Sequence, residues 1–185
     1  EVRDRGQAVK RYPVVMGRGR GRKLRQDNAS TPEGRYRLYN LQPRATFHRA
    51  YDVDYPNALD QVRYDLAQRK GLLPPETPIG SEIQIHGGGI HSNWTFGCVA
   101  LRNEDMDELF SRPEIGVGTR VTLVGGELTR EDLEAIDRAD RDAIVRLLGS
   151  DDPQTLGEYQ GTRGLPMTCQ PDLRTQRALG LSPKG

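Results

Sequence analysis

Ile83-Gln84-Ile85-His86-Gly87-Gly88-Gly89-Ile90-His91-Ser92-Asn93-Trp94-Thr95-Phe96-Gly97-Cys98-Val99-Ala100-Leu101 carries two of the chain's three histidines, one of its two cysteines and its only tryptophan. Apolar residues alternate up to His86, so residues 81–86 read as a short strand. A glycine run follows, and Cys98 stands after Gly97 with apolar residues beyond it. Two neighbouring strand ends joined by a glycine-rich loop are therefore expected to deliver a histidine and a cysteine to one place. A thiol needs a base to react as thiolate near neutral pH, and imidazole suits that task. Glycine lacks Cβ, so residues 87–89 let backbone pass close to a ligand. Gly97 lets consecutive N–H groups point into one concavity, as an oxyanion hole requires. Nucleophile, base and oxyanion donors together are the equipment of acyl transfer.

Two plainer readings compete. Free cysteine is among the most buried residue types, so Cys98 on an apolar strand can be simple packing. Alternatively His86, His91 and Cys98 are metal ligands, with Cys169 or a carboxylate as the fourth. His86 and His91 have a ligand-like spacing, but no cysteine pair accompanies them. The expectation is no metal and no cofactor.

Working outward, residues 8–17 read as a strand ended by Gly17, with Pro13 marking an edge or bulge. The Arg-Gly run at 18–25 lacks interleaved aromatics and reads as a solvated loop, with no nucleic-acid partner. Thr31-Pro32-Glu33-Gly34 suits a tight turn, and Arg35-Tyr36-Arg37-Leu38-Tyr39 alternates as a half-buried strand. Residues 57–70 have a helical period with Gly71 as its stop. Asn103 is a reasonable N-cap for a helix carrying Met106, Leu109 and Phe110, and residues 118–124 form another strand. Gly125-Gly126 marks a boundary. Beyond it, Thr129 and Asp132 make a capping box for a helix running to Gly149. Residues 150–185 are polar and rich in Pro and Gly, with a helical hint at 172–179.

The chain has 185 residues, net charge +1, and 21 glycines and 12 prolines. That length supports one well-buried core with a small appendage. No stretch approaches the roughly 20 apolar residues of a membrane span. The opening Glu1-Val2-Arg3-Asp4-Arg5 is not a signal peptide. Two distant cysteines do not make a disulfide framework.

Thr31-Pro32-Glu33-Gly34-Arg35-Tyr36, Ile85-His86-Gly87 and Thr95-Phe96-Gly97-Cys98-Val99, in that order, resemble the signatures of the L,D-transpeptidase (YkuD-type) catalytic domain over about residues 8–124. The resemblance implies a mainly β fold with helices (α+β): a YkuD-like β-sandwich catalytic domain over 1–124 and a helical C-terminal extension over 125–185. It implies action on peptidoglycan stem peptides. Cys98 attacks the carbonyl of the third stem residue, usually diaminopimelate, and expels D-alanine. An amine then takes the acyl group, giving a cross-link or an attached protein. In the alternative, water takes it, as in an L,D-carboxypeptidase or a hydrolase that detaches a linked lipoprotein. A non-catalytic peptidoglycan-binding module is a third outcome. His86 is the implied base, the Gly87 carbonyl its orienting partner, and the N–H groups of Phe96, Gly97 and Cys98 the oxyanion donors. The resemblance also implies acylation by carbapenems and a place in the periplasm or cell envelope.

Trp94, His91, Thr95 and Arg102 are the candidate substrate contacts. Trp94 is equally suited to anchoring its loop, and His91 to a solvated loop position. Two departures stand out. Many members have histidine where Phe96 stands, and Arg or Asn where Ala100 stands. The first leaves a backbone oxyanion hole intact, and the second bears on the choice of acceptor.

Overall fold

The computed structural model describes residues 1–181. The chain forms two compact units. The first comprises Glu1–Lys23, Asp27–Tyr55 and Ser81–Val121. The second comprises Leu24–Gln26, Pro56–Gly80 and the chain from Thr122 onward. The second unit thus takes in residues 56–80, which lie inside the first of the two domains expected from sequence. An antiparallel hairpin, a mixed sheet and, among the described residues, six helices make the fold α+β.

The first unit opens with a hairpin of β1 (Val2–Asp4) and β2 (Gln7–Lys10). Arg5 and Gly6 turn it with positive φ at both positions, which matches the right-handed twist of paired strands. The strand expected over 8–17 therefore stops at Lys10. Beyond Pro13, Val15 pairs only through an isolated bridge to Ala100.

A separate five-stranded sheet comprises β3 (Gly34–Ala45), β4 (His48–Val53), β5 (Gln84–His86), β6 (Val99–Ala100) and β7 (Arg120–Leu123), in the order β6-β5-β4-β3-β7. Strands β3, β4 and β5 pair antiparallel, and β5 with β6 parallel. In β3 the expected alternation holds, with Tyr36 and Leu38 buried between exposed Arg35 and Arg37.

Helix α2 (Asn103–Ser111) covers β4. Met106 and Leu109 are its buried residues, and Phe110 stacks on the fully buried Tyr51 with ring centroids 4.4 Å apart. The Tyr51 hydroxyl donates to the Leu109 carbonyl at 3.2 Å, satisfying the one polar atom of that ring. Burial raises the Tyr51 phenol to about 12. Arg102, not Asn103, occupies the N-cap of α2. The Asn103 side chain is drawn away because its Oδ1 accepts from the Gly88 N–H at 2.8 Å.

The second unit is helical. In α1 (Ala58–Arg69), Asn57 and Asp60 form a reciprocal capping box. The single helix expected over 129–149 is two, α3 (Arg130–Asp137) and α4 (Arg141–Leu148). Thr129 and Asp132 cap the first as expected, but Asp140 accepts from Ala143 N–H and starts a second. A further helix, α5 (Pro153–Thr162), lies in the stretch that composition reads as polar and rich in Pro and Gly, and α6 (Leu173–Ala178) matches the helical hint.

Leu128, Leu133 and Ile136 form one buried cluster, and α5 packs on α1. The fully buried Gln160 ties this unit together. Its Nε2 donates to Thr168 Oγ1, Thr175 Oγ1 and the Gln170 carbonyl, at 2.8, 2.7 and 2.8 Å. Its Oε1 accepts from Cys169 N–H at 2.8 Å. A buried amide is tolerated because each of its groups finds partners.

Candidate active site

The parallel pairing of β5 with β6 sets Ile85 opposite Val99 and His86 opposite Ala100. One step back along the same register, Cys98 falls against Gln84. Strand alternation then puts His86, Cys98 and Ala100 on one face. Ile83, Val99 and Leu101 are buried in the core.

The imidazole is 2 % exposed. His86 Nδ1 lies 2.6 Å from the Gly87 carbonyl oxygen. A carbonyl only accepts, so Nδ1 carries the hydrogen and Nε2 keeps its lone pair. Burial is the main influence on this ring and pulls its pKa below the ordinary 6.5, against the opposing bond to Gly87. The result is a neutral imidazole with a basic Nε2 at neutral pH.

Two aromatic rings fix its orientation. Phe47 stacks on the imidazole at 5.0 Å and 29°, and Trp94 meets it edge-on at 5.5 Å. Trp94 Nε1–H donates to the Gly89 carbonyl at 3.1 Å, which closes the glycine loop on the ring. Trp94 therefore both anchors the loop and packs against the imidazole. Phe47 lies at the β3–β4 turn and was invisible to sequence spacing. No pattern links it to a histidine 39 residues away.

Cys98 is half-buried and free. Its thiol donates to the Glu82 carbonyl at 3.6 Å, and no hydrogen bond joins it to His86. Burial pushes the thiol above its ordinary value. A hydrogen bond from the Gln84 backbone and the Lys23 ammonium pull it down, while the Glu82 and Asp52 carboxylates push it up. Resting thiol and resting imidazole are thus both neutral. Asp52 is held by three amide side chains, Asn40 at 2.7 Å, Gln42 at 2.8 Å and Gln84 at 2.6 Å.

The loop that leads to Cys98 is braced by residues 15–18 and by Thr31. Arg18 N–H donates to the Thr95 carbonyl at 3.0 Å, and Val15 and Ala100 exchange both backbone bonds. The Thr31 hydroxyl accepts from Gly17 N–H at 2.9 Å. Residues 31–34, expected as a tight turn, are buried. Gly97 has φ +132, and a Cβ there would lie 2.8 Å from the Ser30 carbonyl, so the position admits only glycine.

The L,D-transpeptidase catalytic domain model, YkuD, matches residues 1–123. The chain belongs to the YkuD L,D-transpeptidase catalytic domain family. No curated protein matches it. Among solved structures, the helical cell shape determining protein Pgp2 from Campylobacter jejuni is similar at 23% identity and TM-score 0.44, covering 80% of this chain and 46% of that one. The L,D-transpeptidase from Xylanimonas cellulosilytica gives 21% and 0.42, covering 64% and 52%. Bd1075 from Bdellovibrio bacteriovorus gives 24% and 0.43, covering 84% and 53%. The chain spans about half the length of these solved relatives.

For this YkuD domain the remaining sequence-derived candidates fall in different places. Thr95, expected at the substrate, is 2 % exposed. Its hydroxyl donates to the Cys98 carbonyl at 2.7 Å and accepts from Gly97 N–H at 3.3 Å. It shapes the loop, and the Gly97 N–H, expected as an oxyanion donor, points at this hydroxyl. Phe96 is exposed, with the Arg18 guanidinium 4.1 Å above its ring. His91 is exposed on the loop, and Arg102 is exposed 3.9 Å from Asp105. Among the described residues no group of three or more His, Cys, Asp or Glu is placed to hold a metal. No described helix is long and apolar enough to cross a membrane.

Proposed function

We propose that this domain performs cysteine-dependent acyl transfer on peptidoglycan stem peptides in the periplasm or cell envelope. The observation that carries the reading is the fixed tautomer of His86. With Nδ1–H committed to Gly87, only Nε2 is left to take a proton, and β5 holds it beside the strand that Cys98 leads into. Cys98 Sγ forms a bond to the diaminopimelate carbonyl carbon as His86 Nε2 takes the thiol proton. The tetrahedral oxyanion is met by the N–H groups of Cys98 and Phe96. Gly97 N–H contributes if Thr95 releases it. Collapse breaks the C–N bond to D-alanine, and His86 returns the proton to the leaving amine. An amine acceptor, from a second stem or an envelope protein, then takes the acyl group from the thioester.

Hydrolysis of the same thioester is the second reading, and position 100 favours it. Ala100 is fully buried and paired with Val15, so no Arg or Asn side chain reaches out from there to hold an acceptor. Incubation with tetrapeptide muropeptides, with and without an amine acceptor, followed by mass spectrometry, tests both. Cross-linked dimer supports transfer and free tripeptide supports hydrolysis. Binding with no product means a non-catalytic module.

A further inference from the structure

Lys23 stands in the Arg-Gly-rich run that charge pattern alone reads as a solvated loop, yet it is 6 % exposed. Its ammonium lies 5.7 Å from the centre of the Tyr55 ring. A Cβ placed on Gly97 would be 3.5 Å from Nζ, so the charge sits against the backbone of the residue before the nucleophile. Among the described residues Lys23 has no ion pair and no hydrogen-bond acceptor. Desolvating a cation is costly unless an anion or several acceptors replace the water, and one ring face recovers only part of that cost. The resting thiol does not supply the anion, because it is protonated and directs its hydrogen to Glu82. Asp52, the buried carboxylate of the same sheet, is already occupied by three amides. The exposed Asp27 carboxylate favours the ammonium's charge but makes no ion pair with it, so the anion that meets Lys23 must arrive with the substrate.

We propose that Lys23 is the carboxylate anchor of the acyl-donor site. Its ammonium holds a carboxylate one residue beyond the carbonyl that Cys98 attacks. For the identity of the donor this rests on the acyl-transfer reading above, in which the leaving residue is a terminal D-alanine with a free carboxylate. The anchor makes the site selective for donors that end one residue past the scissile bond. A C-terminal amide removes the charge, and an extra residue carries it out of reach.

A pair of small alkylating probes tests the anchor without peptidoglycan. Iodoacetate and iodoacetamide both form a Cys98 S–C bond with loss of iodide, and differ in carrying a carboxylate or a neutral amide. Lys23→Met should lower the iodoacetate-to-iodoacetamide rate ratio at Cys98 about tenfold, the size of one hydrogen bond to a charged group. Lys23→Gln, uncharged but polar, should do the same and guards against a fold lost to methionine. An unchanged ratio in both variants overturns the anchor. So does an equal fall in both rates, which would assign Lys23 to the thiol itself. With muropeptides, the wild type should favour the tetrapeptide acid over its C-terminal amide, and Lys23→Met should raise KM for the acid alone. If the probe ratio behaves as expected while no D-alanine is released from any donor, the anchor stands and the acyl-transfer reading fails.

Discussion

Cys98 and Cys169 both stand outside any disulfide, and their surroundings differ in nearly every respect. Cys98 sits half-buried in a glycine-bearing loop, with a buried ammonium, two carboxylates and a neutral imidazole in its unit. Cys169 is 1 % exposed, directs its thiol to the Met167 carbonyl at 3.7 Å, and gives its N–H to Gln160. Around Cys98 charges of opposite sign act on the sulfur, with Lys23 favouring the thiolate and Glu82 and Asp52 opposing it. Around Cys169 the neighbours Thr168, Gln170 and Thr175 are tied to the Gln160 amide. Charged neighbours can tune a thiol and a network of neutral amide and hydroxyl groups cannot, so residue type says less about a cysteine than the groups around it.

Removing each thiol tests this contrast most directly. Cys98→Ala should reduce D-alanine release by about a thousandfold or more, as loss of a nucleophile does. Cys169→Ala should leave release unchanged and lower stability by on the order of 1 kcal/mol in urea melts. Intact-mass analysis after carbapenem exposure should show one adduct, absent in Cys98→Ala. An adduct that persists there breaks the comparison.

His86→Ala should slow acylation by about 100- to 10,000-fold, the range for a positioned base. It should also change the pH profile. Because burial holds His86 below its ordinary 6.5, wild-type kcat/KM should rise with pH at a value below 6.5 and then level off. In the variant the rate should instead climb only as the thiol itself ionises, above its ordinary value. Identical profiles for the two proteins would remove His86 from the mechanism.

On the Cys169 side the sensitive neighbour is Gly157. A Cβ there would lie 2.5 Å from Leu66 Cδ1 and 2.6 Å from Cys169 Sγ. Gly157→Ala should therefore cost about 1–3 kcal/mol by overpacking, read by thermal unfolding, with the rate of Cys98 labelling unchanged. The smallest effect is expected at Asp152, the exposed N-cap of α5. Its carboxylate is held down to about 2, first by Ser150 Oγ and then by the Thr155 backbone. Asp152→Ala should cost about 1 kcal/mol or less. A depressed carboxylate stabilises above its unfolded value near pH 4 and loses that contribution as pH falls toward 2. The difference between variant and wild type should accordingly shrink between those limits.

Local signals were legible where the residues that define an element lie within a few positions of one another. The strand ending at His86, the Asn57 start of α1 and the Thr129–Asp132 capping box all satisfy themselves nearby. The Asp152-Pro153 pair was a readable start for α5, since proline is favoured just after a cap, but the polar composition around it obscured the signal. The break between α3 and α4 depends on Asp140 capping a new helix at the expense of continuing the old one, and apolar periodicity is indifferent to that choice. The meeting of His86 and Cys98 at paired strands was legible because glycine and histidine patterning is itself local. Phe47 over His86 and Lys23 behind Gly97 were not, because chain folding alone brings them there and nothing in their own neighbourhoods differs from a loop.

The bond from the Cys98 thiol to the Glu82 carbonyl has a consequence for durability. Peroxides attack sulfur as thiolate, and the first product, a sulfenic acid, leads on to forms that are not reversed. A thiol kept protonated at rest, its hydrogen held by a carbonyl, presents little of the vulnerable species. Under the proposed mechanism, the sulfur becomes reactive only while His86 takes its proton for a bound donor.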